Sequence, residues 1–336
     1  MTENTPDYSS IVVTETVLPY RSEPYLQAEF TDPRLKGYWA ALIADTSGLT
    51  TDRLSTMLTR FPRRVLSEIN THRVFGRNSA SSRARSVKSV VESVMNEPFI
   101  PRFTQNKKGM SGKFVNAEVQ AKAEVAWLRG RDRAVATMLE LLLGDQYDPA
   151  SSVAELMGSY YDGYLNGSTE DMLSVHKQDA NRVLEPYLWH EAVITSSYWD
   201  NFLELRTDLD AADPSIYAIA LLMEALLNSS TPVDSKIHLP FVDETDMLTG
   251  DEPLDEARPT LMLASTESAQ ISYRDKSSAS KSTATTSLGE RLLKLKHMSP
   301  FEHIAYREDA LAVAHLPQDL SGNLGPEWKQ LRKIFE

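Results

Sequence analysis

Residues 116–143 read NAEVQAKAEVAWLRGRDRAVATMLELLL. No other stretch restricts the fold as much. Ala, Val and Leu recur at three- and four-residue spacing without a proline, the pattern of one long helix that only Gly130 is placed to interrupt. Such a helix needs other elements to cover its apolar stripe. Helical spacing returns at 85–96, 151–165, 169–181, 197–208 and 214–228. Residues 35–45 and 52–73 also read as helices, the second with a break or new start at Pro62. Residues 1–30 read as irregular or β-rich. Residues 259–275 alternate like a strand, and 288–308 read helix, short motif, strand. The expected fold class is α+β, helix-rich with a central mixed or antiparallel sheet.

Proline, glycine and charge mark the connections. Residues 96–113 are a loop, 230–259 a long acidic connection, and 276–287 (KSSASKSTATTS) a low-complexity, mobile stretch. The C-terminal NLGPEWKQLRKIFE (323–336) reads as a basic amphipathic tail, a packed helix. We read one domain in three parts: 1–229 with the arginine-rich motif and most helices, 230–258 as the connection, and 259–336 as a C-terminal part.

The arginines are concentrated. Between Arg60 and Arg85 stand seven arginines, one acid (Glu68) and no lysine, in a chain whose net charge is −12. The overall charge argues against a nucleic-acid-coating protein, so the local excess points to a small anion. Arginine offers paired N–H donors that match phosphate oxygens, and serines in a turn add hydroxyl and backbone donors. The stretch SASSR (79–83) has that chemistry. A solvated arginine-rich surface, or a salt-bridge cluster between subunits, has the same composition.

There is no cysteine. Disulfides, thiolate metal sites and a cysteine nucleophile are therefore excluded. His176, His190, His238 and His315 lack metal-ligand spacing, and no metal site is expected. No apolar run approaches the ~20 residues of a membrane span. The start, MTENTPDYSS, is polar and acidic, unlike a secretory leader, and a cytoplasmic location is expected. Trp189, Trp199 and Phe202 read as core.

Four stretches carry a family resemblance. His72-Arg73, seven residues, then Ser81-x-Arg83 resembles the signature of the flavin-dependent thymidylate synthases. HMSPFEH (297–303) looks like that family's His-x-Ser/Thr-Pro-Phe-Glu-His motif. NRVLEPYLWHEAVITSSYWDNFLELR (181–206) resembles its segment ending in a His/Asn-Phe-Leu-x-Leu-Arg helix. AQISY (269–273) resembles its Arg-Val-Ser-Tyr strand. The order differs from the usual one. The Ser-Tyr and Ser-Pro-Phe-Glu-His stretches follow the arginine motif here, as in rearranged phage-type members. Thr71 stands where the signature begins with arginine, Glu68 where a glutamine is usual, and 195–197 replace an Asn-x-Arg-type feature.

The resemblance implies FAD as cofactor, with NADPH and methylenetetrahydrofolate as co-substrates. It implies a pyrimidine deoxynucleotide monophosphate as substrate, dUMP above all, and a homotetramer with shared sites. Position by position, His72, Arg73, Asn78, Asn201, His297, Ser299 and Glu302 would lie against FAD. Glu68, Ser81, Ser82, Arg83, Arg182 and Arg206 would hold the nucleotide, and Arg73 and Arg206 would stand closest to the chemistry. Two alternatives stay open: a variant pyrimidine methylase or hydroxymethylase acting on dCMP or dUMP, and a non-catalytic nucleotide-binding homologue. Neither nucleic acid nor membrane is expected as a partner.

Overall fold

The computed structural model describes residues 4–17, 24–50, 52–81, 84–108, 112–166, 175–243, 246–272 and 283–336. Among them the strands are β1 (Ile11–Val17), β2 (Pro24–Phe30), β3 (Trp39–Ser47), β4 (Arg53–Pro62), β5 (Gly76–Ser79), β6 (Trp189–Ser196), β7 (Val233–Asp234), β8 (Ile237–His238), β9 (Ala305–Arg307) and β10 (Trp328–Gln330). The helices are α1 (Leu66–Ile69), α2 (Val87–Asn96), α3 (Ala117–Leu143), α4 (Val153–Asn166), α5 (Lys177–Ala180), α6 (Asp200–Arg206), α7 (Pro214–Ser229), α8 (Leu254–Ala269), α9 (Thr283–Lys294) and α10 (Leu331–Phe335). The chain is α+β, as expected. It folds into two compact units, one of residues 1–5, 62–66 and 81–190, the other of 6–61, 67–80 and 191–336.

The first, smaller unit is helical. Asn116 caps α3 by accepting from the Val119 amide at 2.9 Å, and the helix runs unbroken through Gly130. Its C-terminal half buries Val135, Met138, Leu139, Leu142 and Leu143 in one apolar cluster with Leu156 of α4, Ala180 of α5, Leu184, Leu188 and the valines of α2. The N-terminal half is held by polar contacts instead. Gln120 donates to the Pro101 carbonyl and accepts from the Phe103 amide, and Trp127 donates to the Phe99 carbonyl. His190 is buried here, with Arg63 Nη1 3.1 Å from its Nδ1.

The second, larger unit is built on a seven-stranded sheet in the order β1-β2-β3-β4-β6-β5, with β7 beside β3. The β1–β2, β2–β3, β3–β4 and β5–β6 pairs are antiparallel, and β7 runs parallel to β3. A second sheet follows the order β10-β9-β8. Register shifts by one residue in β3: Leu42 faces Met57 but Ala44 faces Thr56. Ile43 is thus the extra residue of a β-bulge, and the later residues of β3 change faces. Ile237, Leu261, Met262, Phe301, Ile304, Tyr306 and Leu331 form an apolar core joining β8, α8, the 299–303 turn, β9 and α10.

Several local expectations are corrected. Residues 35–45 and 52–73 are not helices but contain β3 and β4; the helical parts are α1, the 3-10 turn before it and Leu35, which ends the 3-10 turn Pro33–Leu35. Leu35, Tyr38, Trp39, Leu42 and Ile43 repeat at helical spacing, as do Leu54, Met57, Leu58 and Phe61. The spacing misleads because Ser55, Thr56 and Thr59 are fully buried between them. A strand covered on both faces has no apolar–polar alternation. Residues 259–269 err the other way: they belong to helix α8, not a strand. Ser265 and Ser268 look outward-facing in sequence but are buried, their hydroxyls donating to the Leu261 and Ala264 carbonyls. Such back-bonding hides a hydroxyl inside a helix. Residues 270–272 form a 3-10 turn, so the stretch likened to a Ser-Tyr strand is not one, and Tyr273 lies outside the described residues. The acidic connection carries β7 and β8. The C-terminal tail is β10 followed by the single turn α10. Of the helix expected at 169–181, only α5 lies within the described residues, and most of 276–287 lies outside them.

Candidate ligand-binding site

The chain from Glu68 to Ser79 is a helical turn, two tight turns and a strand. The Thr71 amide donates to the Glu68 carbonyl, His72 to Ile69, and Phe75 to His72. These turns drive His72 inward, where it is 8% exposed. Its ring stacks on Phe75 at 5.6 Å and meets Phe202 edge-on at 4.9 Å. Phe202 belongs to α6, and the last residue of that helix is Arg206. Arg206 Nε donates to His72 Nε2 at 3.2 Å. Its Nη1 lies 3.8 Å from a Glu68 carboxylate oxygen. Accepting at Nε2 leaves His72 neutral with its hydrogen on Nδ1. Burial first, then the charges of Arg206 and Arg77, push the His72 pKa below its ordinary value.

The 297–303 stretch is aimed by the end of α9. The His297 amide donates to the Leu292 carbonyl and the Lys296 amide to Leu293, the bond pair of a Schellman cap. Lys296 occupies the left-handed position at φ 57°, where glycine is usual. The chain then turns through Ser299–His303, burying Pro300, Phe301 and His303. His297 and Ser299 are exposed and Glu302 is half-buried.

The two stretches, more than 200 residues apart in sequence, meet. A Cβ at Gly76 would lie 3.3 Å from both the Cβ and the carbonyl oxygen of Glu302. Glycine is what permits this approach. Glu302 is ion-paired with Arg332, and Gln330 donates to its carbonyl. His303 Nδ1 is 2.8 Å from Thr195 Oγ1 on β6, the residue directly opposite Gly76.

The larger unit thus brings together His72, Glu68 and Arg206, and sets Glu302 against β5. Arg73 and Asn201 are exposed. Asn78 donates to the Ser268 carbonyl at 3.2 Å. Ser81 and Arg182 belong to the smaller unit, Ser81 half-buried and Arg182 exposed. Ser82 and Arg83 lie outside the described residues. Trp199 and Phe202 are core, as expected, and Trp189 is half-buried. Among the described residues no group of three or more His, Asp or Glu is arranged to hold a metal ion. Among the described residues no helix is long and apolar enough to cross a membrane.

Sequence reasoning missed Arg77. It sits on β5 between His72 and Glu302, half-buried, donating to the Ile69 carbonyl at 3.2 Å. Burial lowers its pKa while Glu302 raises it. Among the described residues, neither Arg77 nor Arg73 has a carboxylate within ion-pair reach. The available signal was the arginine run itself, which does not say which member turns inward.

No protein-family model matches the chain, and no curated protein does. Among solved structures it is similar to the crystal structure of a UMP/dUMP methylase PolB from Streptomyces cacaoi bound with 5-Br UMP, at 18% identity. The likeness covers 52% of this chain and 69% of that one, with a TM-score of 0.35. An overlap this loose carries no argument about what the chain does.

Proposed function

We propose that the chain is an FAD-dependent enzyme of the flavin-dependent thymidylate synthase type. It would transfer a one-carbon unit from methylenetetrahydrofolate to C5 of a pyrimidine deoxynucleotide monophosphate, dUMP to dTMP, with NADPH as reductant. One observation carries the reading: the HMSPFEH stretch packs against the HRVFGRNS stretch despite their separation in sequence. That neighbourhood is what the rearranged order requires if the two motifs serve one cofactor.

The donor set fits an anionic, aromatic cofactor. Arg73, Arg77, His297 and Ser299 supply cationic and polar groups on the two adjoining stretches, and Arg73, His297 and Ser299 face solvent. His72 and Asn78 are already engaged, with Arg206 and the Ser268 carbonyl. They hold the cradle in shape, and the Nδ1–H of His72 remains a donor for a ligand. When bound, the flavin supplies the hydride chemistry, and the protein supplies charge and orientation. The chain has no thiol to attack C6 of the pyrimidine, so a route without a protein nucleophile suits it. Ser81 and Arg83 would grip the nucleotide phosphate through charge-assisted hydrogen bonds. Arg206, held by His72 and Glu68, would present its guanidinium edge to the substrate.

The test is product analysis. The purified protein should show the visible absorption of an oxidised flavin. With methylenetetrahydrofolate, NADPH and dUMP it should yield a nucleotide heavier by one methyl group in mass spectrometry. No flavin bound at any concentration, together with no product from dUMP or dCMP, would overturn the reading.

A further inference from the structure

The loop from Ser321 to Gln330, in the larger unit, touches each of the three stretches on which the candidate site draws. Asn323 Nδ2 donates to the Val74 carbonyl at 3.3 Å, in the middle of the 72–78 stretch. The Gly325 amide donates to Ser197 Oγ at 2.8 Å, just ahead of α6, which carries Phe202 and Arg206. Gln330 Nε2 donates to the Glu302 carbonyl at 3.1 Å. The loop is itself held. Glu327 accepts from the Leu49 and Thr50 amides at 2.7 and 3.1 Å. The register of β10 on β9 sets Gln330 opposite Ala305, its amide donates to the Leu320 carbonyl at 2.9 Å, and the residue is 1% exposed. Gly322 turns the chain at φ 63°, and a Cβ there would overlap Gln330 Oε1. Glycine serves both the left-handed turn and the room for the carboxamide.

Two of those contacts belong to one link. Gln330 Nε2 also donates to Asn323 Oδ1 at 2.6 Å. The link runs from the Val74 carbonyl through Asn323 and Gln330 to the Glu302 carbonyl. Its two ends are backbone carbonyls, which can only accept. Gln330 must therefore turn its NH2 toward Glu302. That nitrogen has a second hydrogen, which Asn323 meets with Oδ1, and the Asn323 NH2 is left for Val74. Reversing either carboxamide places an oxygen against a backbone carbonyl. The two stretches also touch directly, at Gly76 and Glu302. That contact stops them from approaching further, but a few atoms in van der Waals contact resist separation only weakly. The carboxamide link resists it through three directional bonds.

We propose that Asn323 and Gln330 are positioning residues that act as one link and fix the separation of the 72–78 stretch from the 297–303 turn. Neither acts by touching a ligand. Arg73 and Arg77 stand on one stretch, His297 and Ser299 on the other, so the link sets the width of the cradle between them. That consequence rests on the reading of the two stretches as one cofactor site. The coupling of the stretches needs no ligand.

The experiment is amide hydrogen exchange read by mass spectrometry on the full chain, for the wild type, Asn323→Ala and Gln330→Met. Asn323 bonds to the first stretch and Gln330 to the second. If they form one link, cutting it at either residue loosens both stretches. Amides of 72–78 and of 297–303 should each exchange about fivefold or more faster in either variant, the equilibrium weight of one ordinary hydrogen bond. Those of α3 in the smaller unit should not change, which separates a local release from a general loss of stability. Faster exchange confined in each variant to the stretch that its own side chain bonds would overturn the proposal, and so would no change in either. Should Gln330→Met fail to fold, Asn323→Ala still decides, by whether it loosens 297–303. Titration with FAD is the second readout. Each variant should bind FAD about tenfold more weakly, and the double variant no more weakly than the worse single one, because a link already cut cannot be lost twice. Losses that multiply would show two independent anchors and overturn the proposal. A wild type that binds no FAD removes the functional reading, and hydrogen exchange still decides the link.

Discussion

Both units bury histidine, and His190 of the smaller unit is surrounded differently from His238 of the larger. In the smaller unit His190, near the start of β6, lies against Arg63, a cation beside an imidazole. In the larger unit His238 lies between two threonines of a sheet. Both have pKa values lowered to about 3, in each case chiefly by burial. Arg63 and Arg85 add to the lowering at His190, while Asp45 opposes it at His238. The smaller unit keeps its imidazole neutral by excluding water and adding positive charge. The larger unit does so with a threonine beside each ring nitrogen.

The largest expected effect follows from that pair. An unfolded histidine takes up a proton near pH 6.5, while these two resist until about pH 3. Between those values the unfolded chain binds more protons, so stability is full above about pH 6.5 and is lost as pH falls toward 3. Each group contributes about 1.4 kcal/mol per pH unit inside the window. Denaturant midpoints measured from pH 7 to pH 4 should fall accordingly. A midpoint that stays flat across that range would erase the common feature of the two units.

The next largest effect separates the two ligands. Arg83→Ala should weaken nucleotide monophosphate binding ten- to a hundredfold, the weight of a charge-assisted contact of about 1.5–3 kcal/mol. FAD binding should change little. Arg77→Met should do the reverse, because Arg77 stands on β5 beside Glu302. Calorimetric titration of each variant with each ligand checks the pair. Equal losses for both ligands in both variants would show that the two anion sites are one.

Glycines give a smaller contrast of opposite sign. Gly76→Ala should destabilise the protein by about 1–3 kcal/mol, because the added methyl meets the Glu302 backbone at 3.3 Å and neither strand nor turn can yield freely. Gly158→Ala in α4 meets nothing within 4 Å and should stabilise by about 0.5–1 kcal/mol through helix propensity. Lys296→Gly, relieving a left-handed residue at the α9 cap, should also stabilise by about 0.5–1 kcal/mol. Thermal denaturation of the three variants orders them.

The units also differ in how far their sequences disclose them. Helices α2, α3 and α4 stand where periodicity puts them, because each exposes one face and alternates at 3.6 residues. The central strands of the larger unit do not. In β4 the polar members Ser55, Thr56 and Thr59 are as buried as Leu54 and Met57, so no pattern separates inside from outside. Whether a threonine is buried depends on what lies across the sheet, and its neighbours in sequence do not carry that information. The site was legible in part for the same reason. The meeting of 72–78 with 297–303 followed from the motifs. The inward turn of Arg77 and the His238 bridge depend on register, which a linear pattern does not hold. Glu68 faces Arg206 at 3.8 Å, a pairing set by where α6 ends.

One inserted residue, Ile43, acts on β3 as a parity operator. Removing it would renumber the strand by one, exchanging Thr46 with Asp45 between the two surfaces of the sheet. Asp45 now pairs with Arg53 and accepts from Ser55 and Ser230 on its own side. A single-codon deletion would therefore break an ion pair on one face and the contact of Thr46 with His238 on the other. For the same reason, the length of β3 matters to that contact even where its residues could change.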